Sequence, residues 1–402
     1  MDAFLFEWLS LLGRWVHLIT GIAWVGASFY FVWLDNHLLA PARKEAADAG
    51  VAGELWAVHG GGFYQAQKYR VAPEKLPGTL HWFYWEAYST WLSGFFLLSL
   101  LYYARAELYL IDPAVMALSK PVAIVIGLGF LVSSWLIYDL LCRSPLGKND
   151  RALGAVLAVL LSAEAWALCH LFSGRGAFIQ FGAALGTIMV ANVFFVIIPG
   201  QRELVRAKVE NRAVDPIHGL RGRQRSVHNT YFTLPVLFTM ISHHYAMTYG
   251  ARYNWLVLIG MSFAGALIRT WFVARHKAHE RGGKTSPVPA VLGVLMLAII
   301  AFALTPARTA TSAQVAGPGQ FERVASILKV RCQPCHSATP SQPGFNTPPG
   351  GVMLDTEEHV YARLVQTQQQ LAARTMPIGN LTGMTEEERS TVLAWIEHGA
   401  PR

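Results

Sequence analysis

Long apolar stretches separated by short polar segments dominate the chain from its N-terminus to about residue 305. Eight of these stretches are long enough to cross, as helices, the roughly 30 Å hydrocarbon layer of a bilayer. Because a backbone inside lipid must satisfy its own hydrogen bonds, this pattern predicts an all-α fold with an eight-span transmembrane helical bundle. The predicted spans are residues 8–33, 84–104, 121–141, 152–172, 178–198, 229–248, 255–274 and 288–305.

The hydropathy pattern changes where the last span ends. A segment rich in Ala, Thr, Ser, Gly and Pro over residues 306–320 predicts a linker. Residues 321–402 then have the composition of a small soluble helical domain, whose last helix is expected to begin with a capping box formed by Thr385 and Glu388. The predicted organisation is therefore a membrane domain over residues 1–305, a linker and a compact C-terminal domain.

The basic residues of the connecting segments are unevenly distributed. Segments after spans one, three, five and seven carry most of the Lys and Arg, whereas the alternate segments are nearly free of them. Because basic loops stay in the cytoplasm, both termini are expected outside, with the C-terminal domain on the periplasmic side of a bacterial inner membrane. The acidic residues Asp2 and Glu7 predict a first span that is retained rather than cleaved. These loops explain the formal charge of +8, so no nucleic-acid partner is indicated.

The C-terminal domain contains a motif with specific chemistry. Residues 332–336 read Cys-Gln-Pro-Cys-His. Two cysteines at this spacing can attach a haem covalently, and the adjacent histidine then becomes an iron ligand. No second Cys/His pair follows in this region to complete a zinc site. The motif therefore predicts one covalent haem c held by Cys332, Cys335 and His336, and an electron-transfer role.

A methionine is the usual second axial ligand in electron-transfer cytochromes, where it raises the reduction potential. Three methionines follow the motif, at positions 353, 376 and 384. We favour Met376, in the sequence Thr-Met-Pro, as the axial ligand, with Met353 and Met384 as the alternatives.

Histidines recur at a similar depth in three predicted spans, on the periplasmic side. They are His17 in span one, His170 in span four, and His243 and His244 in span six. Ionisable residues inside a membrane are costly and therefore suggest function. A haem b between two histidines fits this arrangement, and His17 and His244 are the preferred pair. The alternative is that each is a hydrogen-bonded structural histidine.

A second polar group lies on the predicted cytoplasmic side and comprises His59, His81, His228 and Glu86. A histidine beside a carboxylate suits proton abstraction from an acidic heterocycle, although an interfacial structural role is the alternative for each residue. His59 precedes the glycine run 60–62, which allows either close approach to a ligand or sharp re-entry toward the bundle.

Three further charged residues lie within predicted spans. They are Asp139 in span three, Glu164 in span four and Arg269 in span seven. Because an unpaired charge is costly there, and because Asp139 and Arg269 both lie near the predicted cytoplasmic face, we expect these two residues to pair.

Long runs of the chain resemble one family, the membrane-bound bacterial urate oxidases with a fused cytochrome c. The resemblance extends from span one to the residues around Met376, and so covers nearly the whole chain. The runs are RWVHLITGIAWVGASFYFVWLD (14–35), VHGGGFY (58–64), LHWFYWEAYSTWLSGF (80–95), FSGRGAFIQFGAALGTIMVANVFFVIIPGQR (172–202) and SVHNTYFTLPVLFTMISHHY (226–245).

This resemblance implies oxidation of urate to 5-hydroxyisourate without production of hydrogen peroxide. Electrons would pass through haem c to an external cytochrome c or terminal oxidase. The first-span pattern also resembles other membrane oxidoreductases that bind haem b through an early-span histidine, which favours His17. Two alternatives remain open: a membrane haem dehydrogenase for a quinol or porphyrin precursor, and a non-enzymatic, membrane-anchored electron conduit.

Overall fold

The computed structural model of the chain describes residues 3–280, 283–305, 320–343 and 345–402. It is mostly helical, as predicted. The linker predicted over 306–320 lies outside the described residues except for its last position. The elements before the linker are α1 (Ala3–His37), α2 (Lys44–Asp48), β1 (Val51–His59), β2 (Gly62–Tyr69), α3 (Trp85–Leu97), α4 (Ala106–Tyr109), α5 (Lys120–Arg143), α6 (Asp150–Leu171), α7 (Gly174–Asn192), α8 (Ile198–Val209), α9 (Pro216–Ser242), α10 (Ala246–Tyr249), α11 (Asn254–Glu280) and α12 (Val288–Ala303).

Several helices are long and apolar enough to cross a membrane. By this measure five qualify among the described residues: Phe4–His37, Lys120–Arg143, Asp150–Leu171, Gly174–Val209 and Asn254–Ala274. The other three predicted spans also fall on helices, namely α3 with its π-helical continuation, α9 and the shorter apolar α12. The total of eight spans stays a prediction.

Helix α7 lies at the centre of the bundle, where it contacts α5, α6 and α9. Its residues Phe178, Leu185 and Ile188 are buried in the main hydrophobic cluster. Gly182 faces Thr239 of α9 so closely that any larger residue would collide with that side chain. A small residue at this position lets the two helices approach each other, as is common in helix packing within membranes.

The long connection between α1 and α3 contains an antiparallel β-hairpin, which the all-α prediction did not anticipate. Strands β1 and β2 pair from Val51–Tyr69 to His59–Gly62. Gly60 and Gly61 have φ values of 57° and 80° and form the turn, with no other atoms near their Cα positions. Positive φ at both central positions is typical of a two-residue hairpin turn. The glycine run therefore forms this turn and does not re-enter the bundle, and the predicted close approach to a ligand stays a prediction.

The C-terminal region forms its own hydrophobic cluster around Val324, Leu328, Val392 and Trp395. Its helices are α13 (Gln320–Arg331), α14 (Glu357–Ala362), α15 (Leu364–Ala372) and α16 (Glu386–Glu397). The expected capping box at the start of α16 is confirmed: Thr385 accepts from the Glu388 backbone amide, and the Glu388 carboxylate accepts from the Thr385 amide.

This region contacts the bundle at two places, where α15 meets α10 and where the 3₁₀ turn Ile378–Asn380 meets α4. Both α4 and α10 lie at one end of the bundle, α4 just after the second predicted span and α10 at the end of the sixth. The residues just before and just after Met376 therefore face the bundle.

Candidate functional site

A cleft of about 2400 Å³ opens at one end of the bundle. It is lined by the C-terminal parts of α1, α5 and α11, by the N-terminal parts of α6 and α9, and by the junction of α7 with α8. The segment between the hairpin and α3 covers one side. Because typical ligand pockets measure about 300–1,000 Å³, a small heterocycle needs only part of this space. The cleft lies at the end of the bundle opposite α4 and α10.

Basic side chains predominate among the charged residues of the cleft. A cleft lined by one sign of charge attracts ligands of the opposite sign, so this cleft suits an anion. The acidic lining residues are Asp35, Asp150 and Glu203, and the basic ones are Lys68, Arg143, Lys148, Arg151, Arg206, Lys208, Arg221, Arg223 and Arg225.

His228 of α9 lines this cleft and is held by a buried polar network. The Tyr138 hydroxyl lies 2.7 Å from His228 Nδ1. Asn192 Nδ2 donates to the same hydroxyl over 3.1 Å and to Asn229 Oδ1 over 2.8 Å. Because a phenol hydroxyl can donate or accept, Tyr138 can hold the His228 ring in its neutral and in its protonated form.

A buried ion pair lies beside this network. Arg225 is almost fully buried, and its Nη2 donates to Asp139 Oδ1 over 2.7 Å. Asp139 also binds the exposed Arg143. The expected pair of Asp139 with Arg269 is therefore wrong. Arg269 instead lies over the ring of Phe29, 4.2 Å from its centroid.

The four residues proposed for proton chemistry do not share one place. His81 and His228 both line the cleft. His59 is exposed at the end of β1, next to the hairpin turn, and Glu86 lies partly buried in the first turn of α3. Neither His59 nor Glu86 lines the cleft. The cleft thus brings together two of the four, and the catalytic role of each stays a prediction.

Sequence reasoning missed Tyr138, Asn192 and Arg225 as members of this site. One signal was available, because an asparagine within an apolar span is costly unless it is hydrogen-bonded. Asn192 also directly precedes the π-helical turn Val193–Ile197, which lines the cleft. Such turns are frequent at functional sites.

At the other end of the bundle, His17 of α1 packs against α3 and α9. Its Nδ1 lies 3.0 Å from the Thr90 carbonyl oxygen and 3.1 Å from Ser93 Oγ. Its Nε2 lies 3.2 Å from Met240 Sδ. Gly94 makes room for the ring, since a Cβ there would come within 2.9 Å of His17 Cε1. The backbone contact orients the imidazole and directs Nε2 toward α9.

The two histidines at the end of α9 have different surroundings. His243 Nδ1 donates to the Met240 carbonyl oxygen over 2.8 Å. Its Nε2 is buried and has no hydrogen-bond partner among the described residues. His244 is exposed, and its ring contacts that of His243 at a tilt of 42°, with ring centroids 3.9 Å apart. His170 is also exposed, and its Nδ1 is bonded to the Trp166 carbonyl.

The cysteine motif follows the end of α13. Cys332 and Cys335 are both free thiols, and His336 Nδ1 lies 2.9 Å from the Val352 carbonyl oxygen. No group of three or more His, Cys, Asp or Glu side chains is arranged to hold a metal ion in the part of the chain that the structure describes. A haem needs no such group, since its porphyrin supplies four of the iron ligands.

The three candidate axial methionines are also distinguished by their surroundings. Met384 is 3% exposed within the hydrophobic cluster of the C-terminal region. Met353 directly follows Val352, whose carbonyl binds His336. The loop of Met376 is fixed by Arg389, whose Nη1 donates to the Met376 carbonyl over 2.7 Å. Met353 and Met376 are both half-buried and lie outside that cluster, and the choice of Met376 as axial ligand stays a prediction.

The bundle that holds the cleft and both histidine groups matches a known family. The family model described as urate oxidase N-terminal matches residues 3–305, and the C-terminal region lies outside this match. No curated protein and no solved structure matches the chain.

Proposed function

The chain belongs to the urate oxidase N-terminal family, and from this premise we propose that it is a membrane-bound urate oxidase that passes electrons to the respiratory chain rather than to oxygen. The observation that carries the proposal is that the matched residues form a basic cleft containing a histidine held by a buried network. Urate is an acidic purine that is an anion at neutral pH, and such a cleft suits its charge and has ample room for it.

The exposed cations of the cleft would attract and bind the urate anion. Arg225 is already paired with Asp139, so its role is to keep the network around His228 in place rather than to bind substrate. His81, which also lines the cleft, can contribute a hydrogen bond to a purine oxygen.

His228 is the residue we assign to proton transfer. Urate monoanion and water give 5-hydroxyisourate, one proton and two electrons. In the tautomer whose Nδ1–H donates to Tyr138, His228 Nε2 can take up the proton that leaves as water adds to the oxidised ring. The Tyr138 hydroxyl keeps the ring oriented before and after the transfer, because it accepts the Nδ1 hydrogen bond in both states.

The C-terminal residues fit a covalent haem c. The bond from His336 Nδ1–H to the Val352 carbonyl leaves Nε2 for the iron, as is usual for metal-ligating histidines. Cys332 and Cys335 would form the two thioether bonds, and Met376 the second axial ligand. When bound, haem c supplies a one-electron acceptor, so two transfers are needed for each urate.

The placement we propose is a bacterial inner membrane, with the cleft at the cytoplasmic face and the C-terminal region in the periplasm. Support comes from the basic residues around the cleft and from the contacts of the C-terminal region with α4 and α10, at the other end of the bundle. An external cytochrome c or a terminal oxidase would then accept the electrons from the periplasmic side.

Product and electron balance test this function. Purified full-length protein in air, with urate and an external ferricytochrome c, should form 5-hydroxyisourate and reduce two cytochromes for each urate consumed. Hydrogen peroxide formed in step with urate consumption would contradict the proposal. No urate consumption with any acceptor, despite an intact haem c, would favour the conduit function instead.

A further inference from the structure

We infer that the bundle holds a second haem, a haem b between α1 and α9, with His17 and His243 as its axial ligands. The inference rests on the proposed function. The sequence favoured His17 and His244 as the ligand pair, and the structure leads us to replace His244 by His243. It also assigns Arg14 and Arg175 as the residues that bind the haem propionates.

The imidazoles of His17 and His243 have the same pattern of hydrogen bonding at Nδ1. In each, Nδ1 is bonded to a backbone carbonyl, that of Thr90 for His17 and that of Met240 for His243. Such a bond fixes the tautomer and leaves the Nε2 lone pair for a metal. For His243 this atom is buried without a partner among the described residues, which is costly unless a ligand uses it.

Met240 occupies the space between these helices. Its Sδ lies against His17 Nε2, the atom that would bind iron. The side chain is unbranched and flexible, so it can turn away when a flat ligand enters. His244 offers no comparable buried atom, because its ring is exposed.

Two arginines provide positive charge at this end of the bundle. Arg14 lies one turn before His17 on the same face of α1, and Arg175 follows Gly174, which packs against Tyr249 of α10. Arg175 also donates to the Tyr102 hydroxyl over 3.3 Å. Arginine pairs well with carboxylates, so two guanidinium groups beside a candidate iron ligand suit the two propionates of a haem. A bare metal ion would be repelled by them.

The cleft and the C-terminal region lie at opposite ends of helices that are long enough to cross roughly 30 Å of hydrocarbon. An electron released in the cleft needs an intermediate carrier to reach the haem motif. The His17 and His243 site lies toward the end of the bundle where α10 contacts α15, and so between the two.

Haem extraction and spectroscopy of the full chain test the inference. Acid–acetone removes haem b but leaves covalent haem c, so the two can be counted separately by their pyridine complexes. Wild-type protein should contain both in equal amount and show a low-spin bis-histidine signal in electron paramagnetic resonance. His17→Ala and His243→Ala should lose the extractable haem and retain haem c, which shows that each variant is folded and inserted.

Further variants test whether His243, rather than a neighbouring residue, binds the iron. His244→Ala and Met240→Leu should keep the extractable haem and its bis-histidine signal, and His243→Met should keep the haem but lose that signal. Arg14→Gln and Arg175→Gln should shift the reduction potential of the extractable haem and leave that of haem c unchanged.

Wild-type protein with no extractable haem, or with bound copper in its place, would overturn the inference. So would loss of the haem in His244→Ala or Met240→Leu but not in His243→Ala. The proposed function can fail independently of this inference. If haem b is present with these ligands but urate reduces neither haem, the haem site is confirmed and the urate oxidase activity is contradicted.

Discussion

The hydroxyl of Tyr138 lies 2.7 Å from Nδ1 of His228, and this hydrogen bond joins the buried face of α5 to the cleft-lining face of α9. Tyr138 is 1% exposed, so the bond is shielded from water and fixes the His228 ring at the edge of the cleft. A base that is held in this way can meet its substrate without first being oriented.

Removing the histidine tests its assignment. His228→Ala should lower kcat for urate by about 10²–10⁴-fold, the range typical of a general base. His59→Ala is the matched control, since His59 is exposed beside the hairpin turn and should leave kcat unchanged. Steady-state kinetics with an external cytochrome c gives both values. A large loss of kcat in His59→Ala, together with an unchanged kcat in His228→Ala, would assign the general base to His59 instead of His228.

Tyr138→Phe should separate orientation from chemistry. The ring and its packing remain, but His228 Nδ1 and Asn192 Nδ2 lose a buried hydrogen-bond partner, at a cost to stability of about 1–3 kcal/mol. We expect kcat to fall while KM stays close to that of the wild type, because the tyrosine is not expected to touch urate. A rise in KM with an unchanged kcat would place Tyr138 in substrate binding instead.

The Arg225–Asp139 pair should be important for stability. Arg225→Gln removes the buried partner of the partly buried Asp139 carboxylate, and breaking a buried ion pair typically costs about 3–5 kcal/mol. Arg143→Gln removes the exposed partner of the same carboxylate and should cost much less. Denaturant unfolding of the purified full chain compares the two. Equal losses of unfolding free energy in both variants would show that the Arg225–Asp139 contact contributes no more to stability than the exposed Arg143–Asp139 contact.

The sequence predicted much of the fold because its strongest signals are local. All eight predicted spans fall on helices, since an apolar stretch of span length has few other structures open to it. The Thr385–Glu388 capping box was predictable for the same reason, as its two residues lie within one turn. The hairpin was missed because aromatic residues such as Trp56 and Phe63 indicated that this connection is ordered but did not indicate whether its secondary structure is helix or strand.

The partners within the site were less predictable, because they come from distant parts of the chain. His228 and Tyr138 form a hydrogen bond although they are ninety positions apart in the sequence. Asp139 pairs with Arg225 rather than with Arg269 because α5 packs beside α9. Hydropathy gives the depth of such residues in a span but not the direction in which each faces. The same limit explains why the sequence could not decide between His243 and His244.

Two methionines of the C-terminal region should respond in opposite ways. Met376→Ala should lower the reduction potential of haem c and let its ferrous form bind carbon monoxide, with little loss of stability, because it removes the proposed axial ligand. Met384→Ala should instead destabilise the region by about 2–5 kcal/mol and leave the potential unchanged, since Met384 is packed in the core. If carbon monoxide binds to the Met384 variant alone, the ligand assignment is wrong.

Cys332→Ala should remove one thioether bond and, with it, stable covalent attachment of the haem. The helices of the bundle do not depend on this residue, so the membrane region should still fold and insert. Haem staining after denaturing electrophoresis, together with the yield of folded protein in detergent, provides the check. Covalent haem retained in the variant at the wild-type level would count against the motif assignment.

Glu388 gives a prediction for the effect of pH. Hydrogen bonds from Arg331 and from the Thr385 amide hold the pKa of its carboxyl below the usual range. A depressed pKa stabilises the folded state above the unfolded pKa of about 4.3, and this contribution is lost as the pH falls through the folded pKa. Glu388→Gln should therefore lower the unfolding midpoint at neutral pH, and the difference from wild type should vanish in acid. Glu387→Gln, at an exposed neighbour, should match wild type throughout.

The most direct test is to add urate without air to the fully oxidised, purified protein and record the haem absorption bands. The proposed electron path predicts that the haem c bands become those of the reduced form, that 5-hydroxyisourate appears, and that His228→Ala reduces far more slowly than wild type. If the haem c bands stay oxidised while dithionite still reduces them, urate is not the electron donor of this protein.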